Sequence, residues 1–193
     1  MSPRVVLGLS GASGAAIGLR IFEILQSFGA ETHVVATRAA ARTFAEEIAP
    51  DALERLRARA AHWYDVDNVG APIASGSFPT AGMIVAPCSI RTLSAIAHCH
   101  SDSLLTRAAD VHLKERRPLI LLARETPLHL GHLRAMTAAT EAGAIVMPPV
   151  PAFYLGPKCV DDIVDQIAYR AVDLLRAFEP AAREWRGPSA YAG

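Results

Sequence analysis

Short apolar runs alternate along this chain with segments that have the periodicity of amphipathic helices. This alternation restricts the fold more than any other feature, because it is typical of a parallel sheet covered by helices on both faces. The apolar runs are nearly continuous, as expected for strands buried on both sides. We therefore predict strands at residues 5–9, 32–37, 83–86, 119–123 and 144–147.

The intervening segments predict helices at residues 15–28, 39–48, 92–98, 103–116, 128–142 and 160–178. The last helix is the best supported, because its apolar residues form one stripe and two aspartates lie in its first turn. Residues 65–79 form the longest loop and are predicted to act as an active-site lid. The predicted fold class is α/β, a Rossmann-like or flavodoxin-like three-layer sandwich with a parallel sheet.

A chain of 193 residues is long enough for one domain with a full hydrophobic core. We assign residues 1–178 to a single α/β domain and residues 179–193 to a C-terminal tail. The tail carries Trp185 and Tyr191, aromatic residues that suggest docking, for instance on a neighbouring subunit.

The composition excludes several classes of partner and location. The formal net charge is zero, so neither nucleic acid nor an anionic membrane is expected as a partner. No apolar run reaches the roughly 20 residues that a membrane helix needs. The N-terminus lacks the features of a signal peptide, and three widely spaced cysteines form no disulfide framework, so we expect a cytoplasmic location.

A glycine-rich loop, SGASGAAIG at residues 10–18, joins the first predicted strand to a helix. Glycines permit a tight turn and close backbone approach, and a helix N-terminus offers N–H groups, so the loop predicts a phosphate site. The pattern is neither GxGxxG nor a P-loop, and Thr37-Arg38 stands where a dinucleotide site needs an acidic residue, which disfavours NAD. The alternative is a tight turn whose glycines serve packing alone.

Basic residues stand where a bound anion would lie. Arg107 and Lys114 share one helix face, although Asp110 between them also allows a surface salt-bridge ladder. Arg124-Glu125 follows a predicted strand directly, at the sheet edge where α/β proteins bind ligands. Arginine can hold a phosphate and glutamate can exchange protons; the alternative is an ordinary polar loop.

Two further residues have both a functional and a structural interpretation. Arg170 borders the apolar stripe of the last helix, where it either reaches water or meets a buried anion. Tyr154 ends the run PPVPAFY, whose prolines fix the backbone that presents it, but it also suits core packing. Cys88 follows a strand and is better interpreted as lining a pocket than as a nucleophile, because no histidine pairs with it in the sequence.

No metal site is predicted. His98, Cys99 and His100 look like ligands, but alternate residues of a helix point away from each other. His129 and His132 share a helix face but lack the third ligand that zinc requires.

Together these segments resemble the UbiX-type flavin prenyltransferases, from about Val5 to Tyr169. The motifs that carry the resemblance are GASGA (11–15), ASGSF (74–78), APCSIRTLSAIA (86–97), LLTRAADVHLKERRPLIL (104–121), RETPLHLGHLRAM (124–136) and PPVPAFY (148–154). Thr37-Arg38 stands where the family often has Ser-Lys, which keeps a hydroxyl and a cation.

The resemblance implies a metal-independent enzyme that joins dimethylallyl monophosphate to reduced FMN, building a ring across flavin N5 and C6. The prenylated FMN would serve as cofactor of a separate decarboxylase, in ubiquinone biosynthesis or in aromatic-acid breakdown. The enzyme would be a homo-oligomer, specifically a dodecamer.

The resemblance also implies roles for individual residues. FMN would be held by Gly11, Ala12, Ser13, Thr37, Ser89, Ile90, Arg91, Thr92 and Arg124. The prenyl phosphate would be surrounded by Arg107, Lys114, Glu125, Tyr154 and Arg170. The catalytic residues would be Ser13, Glu125, Lys114 and Glu47, with Ser13 and Glu125 handling protons.

Two other functions remain open from the sequence. One is a related flavoprotein class that oxidatively decarboxylates cysteine-derived substrates; its Pro-Ala-Ser-Ala-Asn-Thr-like motif is replaced here by PCSIRT at residues 87–92, which lacks the Asn. The other is an FMN carrier or chaperone for a partner decarboxylase. A carrier needs the glycine loop but not Lys114, Glu125 and Arg170 together.

Overall fold

A parallel sheet forms the centre of the protein. The computed structural model describes residues 2–185 and 187. Within them the strands are β1 (Arg4–Leu9), β2 (Glu31–Ala36), β3 (His62–Tyr64), β4 (Gly82–Cys88), β5 (Leu119–Ala123) and β6 (Ile145–Val146). All neighbouring strands pair in parallel, in the order β3-β2-β1-β4-β5-β6. In this doubly wound order the chain reverses direction across the sheet between β1 and β4, and ligands bind at the carboxyl ends of the strands flanking such a point.

Helices cover both faces of the sheet, which confirms the predicted α/β sandwich. They are α1 (Ala15–Ser27), α2 (Arg38–Glu47), α3 (Ala52–Arg59), α4 (Ile90–Ala97), α5 (Leu104–Lys114), α6 (Leu130–Glu141) and α7 (Val160–Asp173). Single 3-10 turns lie at Pro72–Ala74 and Phe153–Leu155. Because successive side chains of a strand alternate, Val6 and Leu7 of β1 enter two different cores. The first core lies beneath α1, α2, α3 and α7, and the second beneath α4, α5 and α6.

Helix α1 lies unusually close to the sheet at Gly18. A Cβ atom there would lie 2.4 Å from the carbonyl oxygen of Ala86 in β4. This backbone oxygen cannot move aside as a side chain can, so only glycine allows α1 to approach β4 this closely.

The elements differ from the sequence predictions in three places. Helix α3 and strand β3 were not predicted: α3 buries only Ala52 and Leu56, and β3 has three residues at the sheet edge, so neither carries a strong apolar pattern. Helix α7 ends at Asp173 rather than 178, and Arg176 just beyond it has a positive φ of 55°. Val160, counted in its apolar stripe, is 73 % exposed.

Residues 65–79 do not form a free lid. The turn at Pro72–Ala74 packs into the second core through buried Ile73 and Ala74. Arg117 donates hydrogen bonds to the carbonyl oxygens of Gly76 (2.6 Å) and Phe78 (2.8 Å). The segment is therefore tied to the core along much of its length, which argues against a lid.

Candidate active site

A cleft of about 850 Å³ opens at the carboxyl ends of β1, β2, β4 and β5. It is lined by every residue predicted to hold FMN, including the predicted catalytic Ser13, and by two further predicted catalytic residues, Glu47 and Glu125. The full set is Gly11, Ala12, Ser13, Thr37, Glu47, Ser89, Ile90, Arg91, Thr92, Arg124 and Glu125. The sequence places these residues on four separate segments. The strand order brings the segments to one edge of the sheet.

Buried Ser10 ties the two central loops of the cleft together. Its hydroxyl donates a hydrogen bond to the carbonyl oxygen of Pro87 (2.9 Å) and accepts one from the N–H of Ser89 (2.7 Å). A residue at the end of β1 thereby fixes the chain that leaves β4. The geometry of the cleft thus depends on a hydroxyl that does not line it.

Glu47 occupies the N-terminus of α1, where the glycine loop was expected to offer its N–H groups to phosphate. Its Oε2 accepts hydrogen bonds from the N–H groups of Gly14 (2.9 Å) and Ala15 (2.8 Å). Burial alone would raise the pKa of Glu47. A hydrogen bond from Ser13, the two backbone N–H groups and the charge of Arg124 outweigh it, and the pKa lies below its ordinary value. Glu47 is therefore a carboxylate at neutral pH, bonded to the predicted catalytic Ser13.

The N-terminus of α4 is better placed to receive an anion. Ser89 caps the helix by accepting a hydrogen bond from the N–H of Thr92 (3.3 Å). The N–H groups of Ile90 and Arg91, one and two positions into the helix, have no intrahelical acceptor. Both residues line the cleft. This turn therefore combines backbone donors, two hydroxyls and the positive end of a helix dipole.

Arg124 and Glu125 lie at the carboxyl end of β5, as predicted. The N–H of Arg124 donates to the carbonyl oxygen of Cys88 (3.0 Å), which fixes the pair beside the α4 turn. Burial raises the pKa of the Cys88 thiol far above its ordinary range. The thiol is fully buried and protonated, so Cys88 packs at the site and does not serve as a nucleophile.

The cleft also contains residues that sequence reasoning missed. Asp67 forms an ion pair with Arg38 (2.7 Å), and Asp102 lies 3.7 Å from Arg91. Both aspartates line the cleft. No local sequence pattern identifies them, because Asp67 lies 29 residues from its partner.

The remaining predicted residues do not line this cleft in the single chain. Arg107 binds the carbonyl oxygen of Ala74 (3.2 Å) and Asp110 (2.7 Å), so one half of the salt-bridge ladder forms. Lys114 forms an ion pair with Glu115, and both side chains lie next to Gly76. These two cations therefore lie on the α5 surface.

Tyr154 and Arg170 line a second cavity, of about 150 Å³, next to α7. Tyr154 packs edge-on against Trp185, with ring centroids 4.9 Å apart. The start of the tail is held by Asp173, whose carboxylate accepts hydrogen bonds from the N–H groups of residues 181 and 182 (2.9 Å each). Trp185 thus docks on its own chain, and Tyr191 lies outside the described residues.

Other candidate groups are also placed by the structure. Across residues 2–185 and 187, no helix has the length and apolar character needed to cross a bilayer. In the same residues, the histidines near 98–100 and 129–132 do not belong to any group of three converging metal ligands.

Comparison with known proteins supplies the family. Residues 1–171 match the Flavoprotein family model. A flavin prenyltransferase UbiX of Thauera aromatica is 56 % identical over 170 residues, covering 88 % of this chain and 87 % of the relative. The flavin prenyltransferase UbiX of Escherichia coli K12 is 52 % identical over 171 residues, covering 88 % and 90 %.

Solved structures support the same family assignment. AnUbiX, crystallised with FMN and dimethylallyl pyrophosphate, superposes with a TM-score of 0.90 at 41 % identity, covering 97 % of this chain and 99 % of the other. A dodecameric FMN-dependent UbiX-like decarboxylase from Escherichia coli O157:H7 gives 0.90 at 40 % identity, covering 95 % and 100 %. A cysteine decarboxylase from thioviridamide biosynthesis is only 17 % identical and shares the fold alone. The chain belongs to the flavoprotein family and, within it, to the UbiX flavin prenyltransferases.

Proposed function

We propose that this protein is the enzyme that joins a dimethylallyl group to reduced FMN, giving prenylated FMN for a partner decarboxylase. One observation carries the proposal: the residues predicted to contact flavin converge in a single cleft, in a chain more than half identical to UbiX enzymes. The cysteine decarboxylases share only the fold, so they supply no support for that alternative.

The cleft suits FMN in size and chemistry. Its volume of about 850 Å³ lies within the range usual for sites that enclose cofactor-sized ligands. The N–H groups of Ile90 and Arg91, the hydroxyls of Ser89 and Thr92, and the guanidinium of Arg124 offer donors to the phosphate and ring edges. When bound, reduced flavin supplies the nucleophilic N5 and C6 atoms.

The residues of the cleft account for the proton transfers. Prenyl transfer breaks the allylic C–O bond, and phosphate leaves with its electron pair. The C5 unit forms one bond to flavin N5 and one to flavin C6. Flavin N5 and flavin C6 each lose a proton, and one proton is added to a carbon of the prenyl double bond. Glu125 and Ser13 are the proposed proton carriers, and the Glu47 carboxylate holds the Ser13 hydroxyl through a hydrogen bond.

The leaving phosphate needs cations, and the single chain places the proposed ones elsewhere. Lys114 and Arg107 lie on α5, while Arg170 and Tyr154 line the cavity at α7. A related structure is dodecameric. We infer that this chain is also a homo-oligomer, a dodecamer, in which neighbouring subunits bring these residues to the cleft.

Several narrower points belong to the same proposal. The prenyl donor is dimethylallyl monophosphate, although AnUbiX was crystallised with the pyrophosphate. The three free cysteines of the chain support a cytoplasmic location. The one sheet and its two cores support a single flavin-binding domain at residues 1–178, with a tail at 179–193.

An anaerobic assay tests the proposal directly. Purified protein, reduced FMN and dimethylallyl monophosphate should yield a flavin heavier by one C5 unit in mass spectrometry. The Glu125→Gln variant should retain FMN binding but lose most turnover, about a hundredfold or more, because it cannot accept a proton. Glu141→Gln, the same change on an exposed part of α6, is the matched control and should leave turnover unchanged.

The outcomes separate the alternatives. FMN that is bound but unchanged in mass would favour the carrier. Prenylation at the wild-type rate by Glu125→Gln would be consistent with the proposed enzyme function but would contradict the proton-transfer role of Glu125.

A further inference from the structure

Three metal-ligand side chains converge far from the cleft, at the amino-terminal edge of the sheet. Glu31 and His33 are two residues apart in β2, so their side chains lie on the same face. His62, the first residue of β3, is the direct register partner of His33. The sheet pairing itself therefore places one carboxylate and two imidazoles together.

The donor atoms are close enough to share one ion. Glu31 Oε1 lies 3.2 Å from Nε2 of His33 and 3.2 Å from Nε2 of His62. The potential ligand atoms of the three residues all lie within 4.8 Å of one another. Ligands about 2.1 Å from a tetrahedral zinc ion are separated by roughly 3.4 Å, so two of the three separations already fit.

A buried and unsatisfied atom points to a missing ligand. His33 is only 1 % exposed, and its Nε2 forms no hydrogen bond with any described residue despite its proximity to Glu31. Buried polar atoms normally have a partner, so this nitrogen calls for one. The other ring nitrogen, Nδ1, lies 2.9 Å from the hydroxyl of Tyr64. A proton on Nδ1, donated to Tyr64, leaves the lone pair of Nε2 for a metal, an arrangement typical of metal-bound histidines.

A neighbouring cation, Arg4, affects the site in two ways. Arg4 lies 3.3 Å from the other carboxylate oxygen of Glu31, and its guanidinium lies over the Phe78 ring. Arg4 opposes a cation electrostatically, but it also holds the carboxylate so that Oε1 faces both imidazoles.

We propose that Glu31, His33 and His62 form a binding site for a divalent transition-metal ion such as Zn²⁺, which fastens the edge strand β3 to β2. Two imidazoles and a carboxylate are a preferred donor set for zinc, and water completes the tetrahedron. The ion replaces the proton that His62 Nε2 shares with Glu31. In the structure the His62 and His33 rings are stacked, with centroids 4.5 Å apart. We therefore expect the half-exposed His62 ring to rotate when the ion binds, so that its Nε2 points at the ion.

The site is separate from the prenyl-transfer chemistry. Glu31 begins β2 and Thr37, which lines the cleft, follows its end, so the two are about 20 Å apart along the strand. The ion therefore has a structural role, and a metal-independent reaction in the cleft is compatible with it. β3 has only three residues and lies at the sheet edge, so an additional link to β2 would stabilise it.

Zinc titration of the purified full-length protein tests the site. We expect calorimetry to show one Zn²⁺ per chain in the wild type, and His62→Gln to weaken binding at least about tenfold, since a ligand is lost. His62 is 48 % exposed, so its replacement does not disturb the core. His98→Gln removes another exposed histidine, one next to Cys99 and His100, and serves as the matched control with unchanged affinity.

A second variant addresses the buried part of the site without removing a ligand. Tyr64→Phe keeps the ring but loses the partner of His33 Nδ1, and zinc affinity should fall about tenfold. Cobalt substitution should give the visible absorption of a four-coordinate ion in the wild type and not in His62→Gln. Absence of saturable zinc binding, or equal affinity in the wild type and His62→Gln, would overturn the proposal.

Discussion

At the scale of single residues, Glu47 links the first helix, α1, to the residues of the cleft. Its carboxylate satisfies two N–H groups at the start of α1 and accepts a hydrogen bond from Ser13. A negative charge at this end of a helix also stabilises the helix dipole. One side chain therefore supports both the stability of α1 and the position of a proposed proton carrier.

This double role predicts a pH-dependent stability. Glu47→Gln should lower the free energy of unfolding at neutral pH by about 0.5–1 kcal/mol, a modest value because the carboxylate is exposed. The pKa of Glu47 is lower in the folded protein than its ordinary 4.5. The advantage of the wild type is therefore complete above about pH 4.5 and disappears as pH falls through the folded-state pKa. Denaturant titrations of both proteins from neutral to acidic pH provide the measurement; a difference that does not shrink as the pH falls below 4.5 would contradict the assignment.

The residue scale also shows where sequence reasoning reached its limit. The composition of the glycine loop predicts an anion site at the start of α1. Glu47, which takes its N–H groups, is 33 residues away from Gly14. No local pattern reports such a contact, and the donors proposed for the phosphate lie instead at the start of α4, around Ser89 and Thr92.

At the scale of secondary-structure elements, the contact between α1 and β4 depends on one missing methyl group. Gly18→Ala would place a Cβ atom 2.4 Å from the Ala86 carbonyl oxygen. Alanine favours a helix by about 1 kcal/mol over glycine, yet we expect a net loss of about 1–2 kcal/mol because α1 must move off the sheet. Denaturant midpoints at one fixed protein concentration measure this.

Gly70→Ala is the control for that comparison. Gly70 is exposed in a loop, and its nearest neighbour would lie 3.7 Å from the added Cβ. Its stability should stay within about 0.5 kcal/mol of the wild type. If Gly18→Ala proved as stable as Gly70→Ala, the close approach of α1 to β4 would not be a constraint.

The predictability of elements follows from how deeply they are buried. Strands β1, β4 and β5 are almost wholly buried, and their apolar runs identify them without ambiguity. Helix α3 and strand β3 lie at the margin of the fold and bury little, so their sequences carry little periodicity. The metal-ligand cluster was overlooked for this reason, since His62 belongs to the unpredicted strand.

At the scale of the whole molecule, the proposed site is divided among three surfaces of one chain. The flavin cleft, the α5 cations and the cavity at α7 are each formed locally, but they do not meet within the subunit. The resemblance to the family identified residues of all three surfaces. It could do so because sequence similarity reflects the function of a residue regardless of which subunit supplies it to a given site. The proposed symmetric assembly, in which each subunit completes the site of a neighbour, would bring the three surfaces together.

Subunit mixing tests this central claim most directly. Glu125→Gln removes the cleft function and Arg170→Ala the α7 function, so each homo-oligomer should be nearly inactive. Oligomers reassembled from equal amounts of the two should regain about a quarter of wild-type prenylation activity, because one random pairing in four unites two intact contributions. If the mixed oligomers, verified by native mass spectrometry, stay as inactive as the parents, the site is not shared between subunits in this way.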